Sequence, residues 1–496
     1  LGTESDGALY WSPKTTLFTN VFNARGGRDN KVLSNNEVWS VHNEGNDGLW
    51  VGTRNGLNYY NLNEGESQSF LSSTDEKAQY SSAFISKIFA DKDNNLWLLA
   101  GTSIVHFDTK AKRNLPLKVK NQSDQSLLNN EVYDMRMQPN GDILFYNNAG
   151  LYRYSVQDGE VNQLESAKNT LSIKNAVALL PPLADQPQTT LFSSIGQLWQ
   201  IDNQTNQLAL VHSLTAEQHR TEVSADSTVI DRNGILWIAY PGYGLVGLDN
   251  KTKEQKYFFN RANLLPTNTI YGLQLDEQGN IWMSSHAGIL KFNPESQHLQ
   301  KYGAAQGLRN LEFNQYTNAQ LPDGKMIYGS PKGITLFDPA KLEVGVVTQN
   351  QVHITGIELA SRMLPMPIKD LSGQDFQLTH EDVGLKIHFS SLEFENQGST
   401  RYGYRLTGAG NIAFTETRVP EVMFPKLGPG NYTFAVVAFD TQSGTKSQEA
   451  TITFSVAYAP WRSPWAILGY IVFVGLIVAI LIWRKRQHDL SLHTAH

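Results

Sequence analysis

Short runs of alternating apolar and polar residues, broken by clusters of Asp, Asn and Gly, fill the first 340 residues of the chain. Glu37–Val41, Ala83–Phe89, Glu131–Met137 and Thr269–Leu275 alternate as half-buried strands do. The turns that follow, such as Asp231-Arg232-Asn233-Gly234 and Asp276-Glu277-Gln278-Gly279-Asn280, hold residues that tolerate left-handed backbone and suit a hairpin. A second strand with a bulky centre comes next, then a Gly-Leu or Gly-Ile pair opening a third. The bulky centre falls at Trp50, Trp97, Leu144, Phe192, Trp237, Trp282 and Ile327, in steps of 47, 47, 48, 45, 45 and 45. A period of this length built from short strands predicts an all-β fold, a seven-bladed β-propeller with one four-stranded sheet per repeat. The fourth repeat, about residues 170–215, is degenerate, although Leu191-Phe192-Ser193 and Leu198-Trp199 keep the phase.

A large aromatic at one position per blade reads as a wedge between sheets rather than as a ligand contact. Asp91-x-Asp93-x-Asn95 opens like a calcium loop, but Leu96 stands where the loop glycine belongs and Thr102 where the bidentate Glu belongs. A hairpin is therefore expected there, and no metal. Leu1 to Tyr10 matches the second half of a repeat, with Gly2-Thr3 in the place of Gly52-Thr53, so the chain is expected to begin inside a blade.

After Pro339 the period stops. Strand-like segments continue at Val352–Leu359, Leu385–Phe389, Arg401–Leu406, Tyr432–Asp440 and Thr451–Val456, which predicts an immunoglobulin-like β-sandwich over 346–458. The pattern changes again from Trp465 to Trp483, a stretch of 19 residues with no charge. As a helix it would reach about 28 Å, close to the hydrocarbon thickness of a bilayer. Trp461, Trp465 and Trp483 stand where interfacial aromatics belong, and Arg484-Lys485-Arg486 follows at once. The expected organisation is a propeller over 1–345, the sandwich, a transmembrane helix over 464–483 and a cytoplasmic stub over 484–496, with everything before the helix outside. Gly469 and Gly475 are six apart rather than four, a weak signal for close helix approach in a homodimer.

Composition narrows the functions. Lys and Arg total 41 against 47 Asp and Glu, a net charge of −6 without a basic motif, so nucleic acid is not an expected partner. There is no Cys, which removes disulfides, thiolate metal sites and Cys nucleophiles. No His-Glu-x-x-His, Gly-x-Ser-x-Gly or Walker loop occurs, so neither catalytic residues nor a cofactor are expected.

The Leu-Trp-Val-Gly-Thr…Gly-Leu repeats resemble the two-component regulator propeller repeats of bacterial sensor proteins. Tyr402-Gly403-Tyr404-Arg405-Leu406-x-Gly408, followed by Leu427-x-Pro429-Gly430-x-Tyr432-x-Phe434, resembles the triple-tyrosine domain that follows such propellers. Pro460-Trp461-Arg462-x-x-Trp465 looks like its exit into a transmembrane helix. One departure stands out: the family usually has a Trp soon after Leu-x-Gly, and here Phe414 is the nearest aromatic. The resemblance implies a bacterial inner-membrane receptor with residues 1–463 in the periplasm and an output module, histidine kinase or diguanylate cyclase, beyond this chain. It also implies an upstream second propeller in some relatives.

Propeller geometry places the loops leading into each first strand on the same face as the loops joining second and third strands. That face collects Asn36, Arg54, Asn130, Tyr243, His286 and Arg309, a set suited to a small molecule or an oligosaccharide. Two alternatives stay open: a propeller-type polysaccharide lyase or hydrolase, and a scaffold for another periplasmic protein.

Overall fold

A computed structural model describes residues 17–22, 32–72, 83–164, 176–215, 222–343, 351–363, 370–392, 400–440 and 446–493. The segment Leu1 to Tyr10 lies outside these residues. The chain forms two compact units, Leu1–Gly345 and Val346–His496.

The first unit holds seven four-stranded antiparallel sheets. In blades 1 to 6 the four strands, called a to d, follow one another; blade 1, for example, runs Val38–Glu44, Gly48–Thr53, Gly56–Asn61 and Glu66–Phe70. Blade 7 takes strands a to c from Asn318–Gln320, Met326–Ser330 and Gly333–Phe337, and its outer strand is Phe18–Val21 from the other end of the chain. Phe18 pairs with Phe337 and Val21 with Ile334, so the first described strand closes the ring. All seven bulky centres read from the sequence sit on strand b. The degenerate repeat forms a complete sheet from Ala176–Leu180, Thr189–Ser194, Gln197–Asp202 and Leu208–Ser213.

Burial explains the period. Seven hydrophobic clusters separate the seven sheets, one for each neighbouring pair, including blades 7 and 1 through Val38, Leu49, Val51, Ile327 and Ile334. The strand-b aromatic reaches the strand-c aromatic of the next blade: Trp50 to Phe107 at 6.1 Å, Trp237 to Phe292 at 5.3 Å and Trp282 to Phe337 at 5.1 Å between ring centroids. Each sheet alone would expose that face, and the ring leaves none exposed.

The Asp-rich turns are hairpins, and their carboxylates have two duties. One oxygen of Asp276 accepts the amides of Gln278 and Asn280, folding the turn, while the other accepts the Trp282 indole N–H at 2.8 Å. Asp231 does the same for its own turn and for Trp237. In blade 2, Asp91 meets His106 at 3.1 Å, and that imidazole stacks on Trp97. The segment leading into blade 3 differs from expectation. Gln122–Asn130 is a helix, capped by the Asn121 side chain and seated by buried Leu128, and strand a begins only at Asp134.

The second unit is a two-sheet sandwich. His353–Leu359, Leu385–Ser390 and Glu421–Phe424 make a three-stranded sheet. Asp375–Leu378, Ala450–Val456, Gly430–Asp440, Thr400–Gly408 and Ile412–Thr417 make a five-stranded one. Both contribute to one core, in which Phe389 and Phe424 meet Phe434. The tyrosines pack and tie: the Tyr432 hydroxyl donates to Gly428 O at 3.0 Å, four residues upstream, and the Tyr402 hydroxyl accepts the Ser391 amide. Phe414 lies over Gly403, where a Cβ would come within 2.0 Å of its ring, so the aromatic and the glycine fit as a pair. Ser463 then caps the helix Pro464–His493 through the Ala466 amide. Residues Pro464–Gln487 have a mean hydropathy of 2.8 and no burial, a length and composition able to cross a membrane.

Candidate functional site

The first strands of the blades line the propeller axis, and their edges are latched to one another. Ser40 Oγ donates to Ile85 O at 3.1 Å, Asp134 accepts the Leu179 amide at 2.8 Å, and Asp226 accepts the Gly272 amide at 2.8 Å. Each bond joins neighbouring blades across one repeat. Register shifts in strand a of blades 1, 2, 4 and 6 re-aim the side chains near these latches. Gly272 illustrates the need: its φ of 56° turns its amide onto Asp226, a conformation that other residues resist.

Inside the latches lies a cavity of about 360 Å³ that touches all seven blades. Its wall reaches Asn43, Phe89, Pro181 and Gln320 at the far ends of their strands, so it opens toward the a–b hairpins. At the other end Tyr316, in left-handed backbone with φ 57°, reaches across from blade 7 and lies under Lys87 Nζ at 4.7 Å. Lys87 also pairs with Asp134 Oδ1 at 3.2 Å, both side chains largely buried. Two residues further along the same strands, the Arg136 guanidinium lies on the Phe89 ring at 5.4 Å.

Burial governs the ionisation of these groups. It pushes the Asp226 carboxyl up to about 7, against the two backbone amides and the Lys87 charge that favour the carboxylate. It lowers Arg136 to about 10, which still leaves a cation at neutral pH. Burial also draws His42 down, against the pull of Glu44. Lys87, Arg136 and Asp226 thus line one cavity, Asp134 pairs with Lys87, and Asp226 is only partly ionised at neutral pH.

The six residues expected on the lead-in face do not converge on this cavity, and each is held locally. Arg54 is exposed and pairs with Glu37 at 3.2 Å. His286 meets the Tyr271 hydroxyl at 3.2 Å, Tyr243 stacks on Phe258 at 4.5 Å, and Arg309 covers Phe22 at 3.6 Å. Asn36 accepts the Gly333 amide through its backbone, and Asn130 ends the helix before blade 3 rather than a loop. Sequence reasoning missed Lys87, Asp134, Arg136, Asp226 and Tyr316. Lys87 and Asp134 stand one blade period apart, but Arg136 is two residues further on and Asp226 and Tyr316 precede their strands, so no repeated charge marked the set.

Comparison with known proteins fits this geometry. Residues 264–287, which lead into blade 6 and cross its first two strands, match the family described as "Two component regulator propeller". These residues are a two-component regulator propeller repeat. The chain is also similar to the extracellular domain assigned to a hybrid two-component system of B. thetaiotaomicron, with a TM-score of 0.72 and 20% identity over 89% of this chain and 58% of that one. "Histidine kinase P4" of Formosa agariphila is 25% identical over 244 residues, 47% of this chain and 18% of that kinase. The chain therefore spans about a fifth of the kinase and somewhat over half of the solved domain. The residues that match the two-component regulator propeller include Trp282 on strand b of blade 6 and end just before the Gly288-Ile289 pair that opens its strand c.

Proposed function

We propose that this chain is the periplasmic sensing region of a single-pass bacterial receptor, anchored in the inner membrane and joined to a cytoplasmic histidine kinase or diguanylate cyclase. The order of parts carries the reading: a closed propeller with a regulator repeat, a sandwich, then an apolar helix with no burial followed by Arg484-Lys485-Arg486. A helix of that composition left in water would expose a large apolar surface, and the basic cluster favours the cytoplasmic side. The kinase likeness supports the output class. Ligand binding would shift two protomers between arrangements of unequal affinity, as any ligand-driven switch requires. In this reading Asn36, Arg54, Asn130, Tyr243, His286 and Arg309 form a second contact surface on the lead-in face, separate from the axial cavity.

The absence of Cys makes topology directly measurable. Single substitutions Lys426→Cys in the sandwich and Gln487→Cys just after the Arg484-Lys485-Arg486 cluster should react differently with a membrane-impermeant maleimide. In spheroplasts Lys426→Cys should label fully, and Gln487→Cys only after permeabilisation. Labelling of both in intact spheroplasts would remove the single-pass arrangement.

A further inference from the structure

Of the two cations that line the axial cavity, one has no carboxylate in contact. Lys87 has Asp134, and the two oxygens of Asp226 accept amides of Gly272 and Tyr316. Arg136 lies against Phe89 and forms no ion pair or hydrogen bond among the described residues. A half-buried guanidinium with no anion in contact is costly, and its planar fork matches a carboxylate bidentately. The rest of the wall suits a hydroxylated molecule: Asn43, Ser227, Thr228, Asn318 and Gln320 offer amides and hydroxyls, and Leu180, Pro181 and Leu273 offer apolar surface. At about 360 Å³ the space takes one small ring, not a chain of them. Asp134 and Asp226 nearby disfavour a dianion such as sulfate.

We infer that the axial cavity binds a small polyhydroxylated monocarboxylate, the size of a single sugar acid, with its carboxylate on Arg136. The inference names a ligand class for the sensing reading, yet it concerns binding alone and is measured without any signalling output. Loss of signalling would therefore leave it standing, and failure of binding would leave the membrane topology untouched.

The test is titration calorimetry on the full chain in lipid nanodiscs, with galacturonate, glucuronate and gluconate as probes and galactose and sulfate as controls. At least one carboxylate should bind with a Kd below about 1 mM, and both controls at least about tenfold more weakly. Arg136→Met should weaken the bound carboxylate about tenfold or more, and Arg136→Lys should restore part of the loss. Because removing a half-buried charge can disturb folding, Asn318→Asp provides a second variant: it keeps Arg136 and adds a repelling charge, and should also weaken binding. No binding of any of the three carboxylates would overturn the inference. So would equal binding of galactose or sulfate, or unchanged affinity in both Arg136→Met and Asn318→Asp.

Discussion

Asp226 shows how one buried carboxyl ties ring geometry to pH. Its oxygens fix the Gly272 and Tyr316 amides, linking blades 5, 6 and 7, and burial raises its value from 3.8 to about 7. A raised carboxyl is held protonated by the fold, so ionising it weakens the folded state. The stability it contributes is fully present below about pH 4 and is lost as pH climbs through 7. Asp226→Asn carries no such titration. The melting temperature of the variant, taken relative to the wild type, should therefore rise between pH 5 and pH 8, on the order of 5 °C. Thermal melts across that range check it, and a constant offset would show that Asp226 does not take up the proton.

At the scale of elements, the Gly that opens strand c in blades 1, 3, 5, 6 and 7 is a tightly constrained position. Gly288 has φ 105° and Gly333 φ 111°, and a Cβ would lie 2.2 Å from Tyr302 O and 2.1 Å from Val21 O respectively. Both carbonyls belong to the neighbouring strand d. Gly333→Ala should therefore loosen the outer strand that closes the ring, and the amides of residues 18–21 should exchange hydrogen faster while blades 2 to 5 keep their protection. This glycine and its strand-b Trp were legible because the repeat writes them at a fixed spacing. Other elements were not. Ile412–Thr417 is an edge strand exposed along nearly its whole length, so it carries no alternation. Asp375–Leu378 and Glu421–Phe424 have four residues each, too few to show a period. Lys87, Asp134 and Arg136 stayed hidden for a different reason: in sequence they are the ordinary polar half of an alternating strand, and only ring closure turns that half inward.

For the whole molecule, the cores decide how it comes apart. The propeller core is a circle of seven clusters with no end, whereas the sandwich has one cluster of its own shared by its two sheets. A circle has no terminal repeat to fray, so the propeller should unfold as one cooperative unit and the sandwich as another. Two substitutions separate them. Trp282→Ala removes a fully buried indole at the junction of blades 6 and 7, together with its bond to Asp276, and should destabilise by about 3–5 kcal/mol. Tyr432→Phe removes only the hydroxyl bond to Gly428 O and should cost about 1 kcal/mol. Scanning calorimetry of the chain in nanodiscs should show two transitions, the first variant lowering one and the second lowering the other. A single transition moved by both would mean that the two cores fold as one. Local unfolding of the ring would then accompany any rearrangement of the sandwich, and a signal in the propeller would reach the helix through shared stability rather than through the placement of a rigid body.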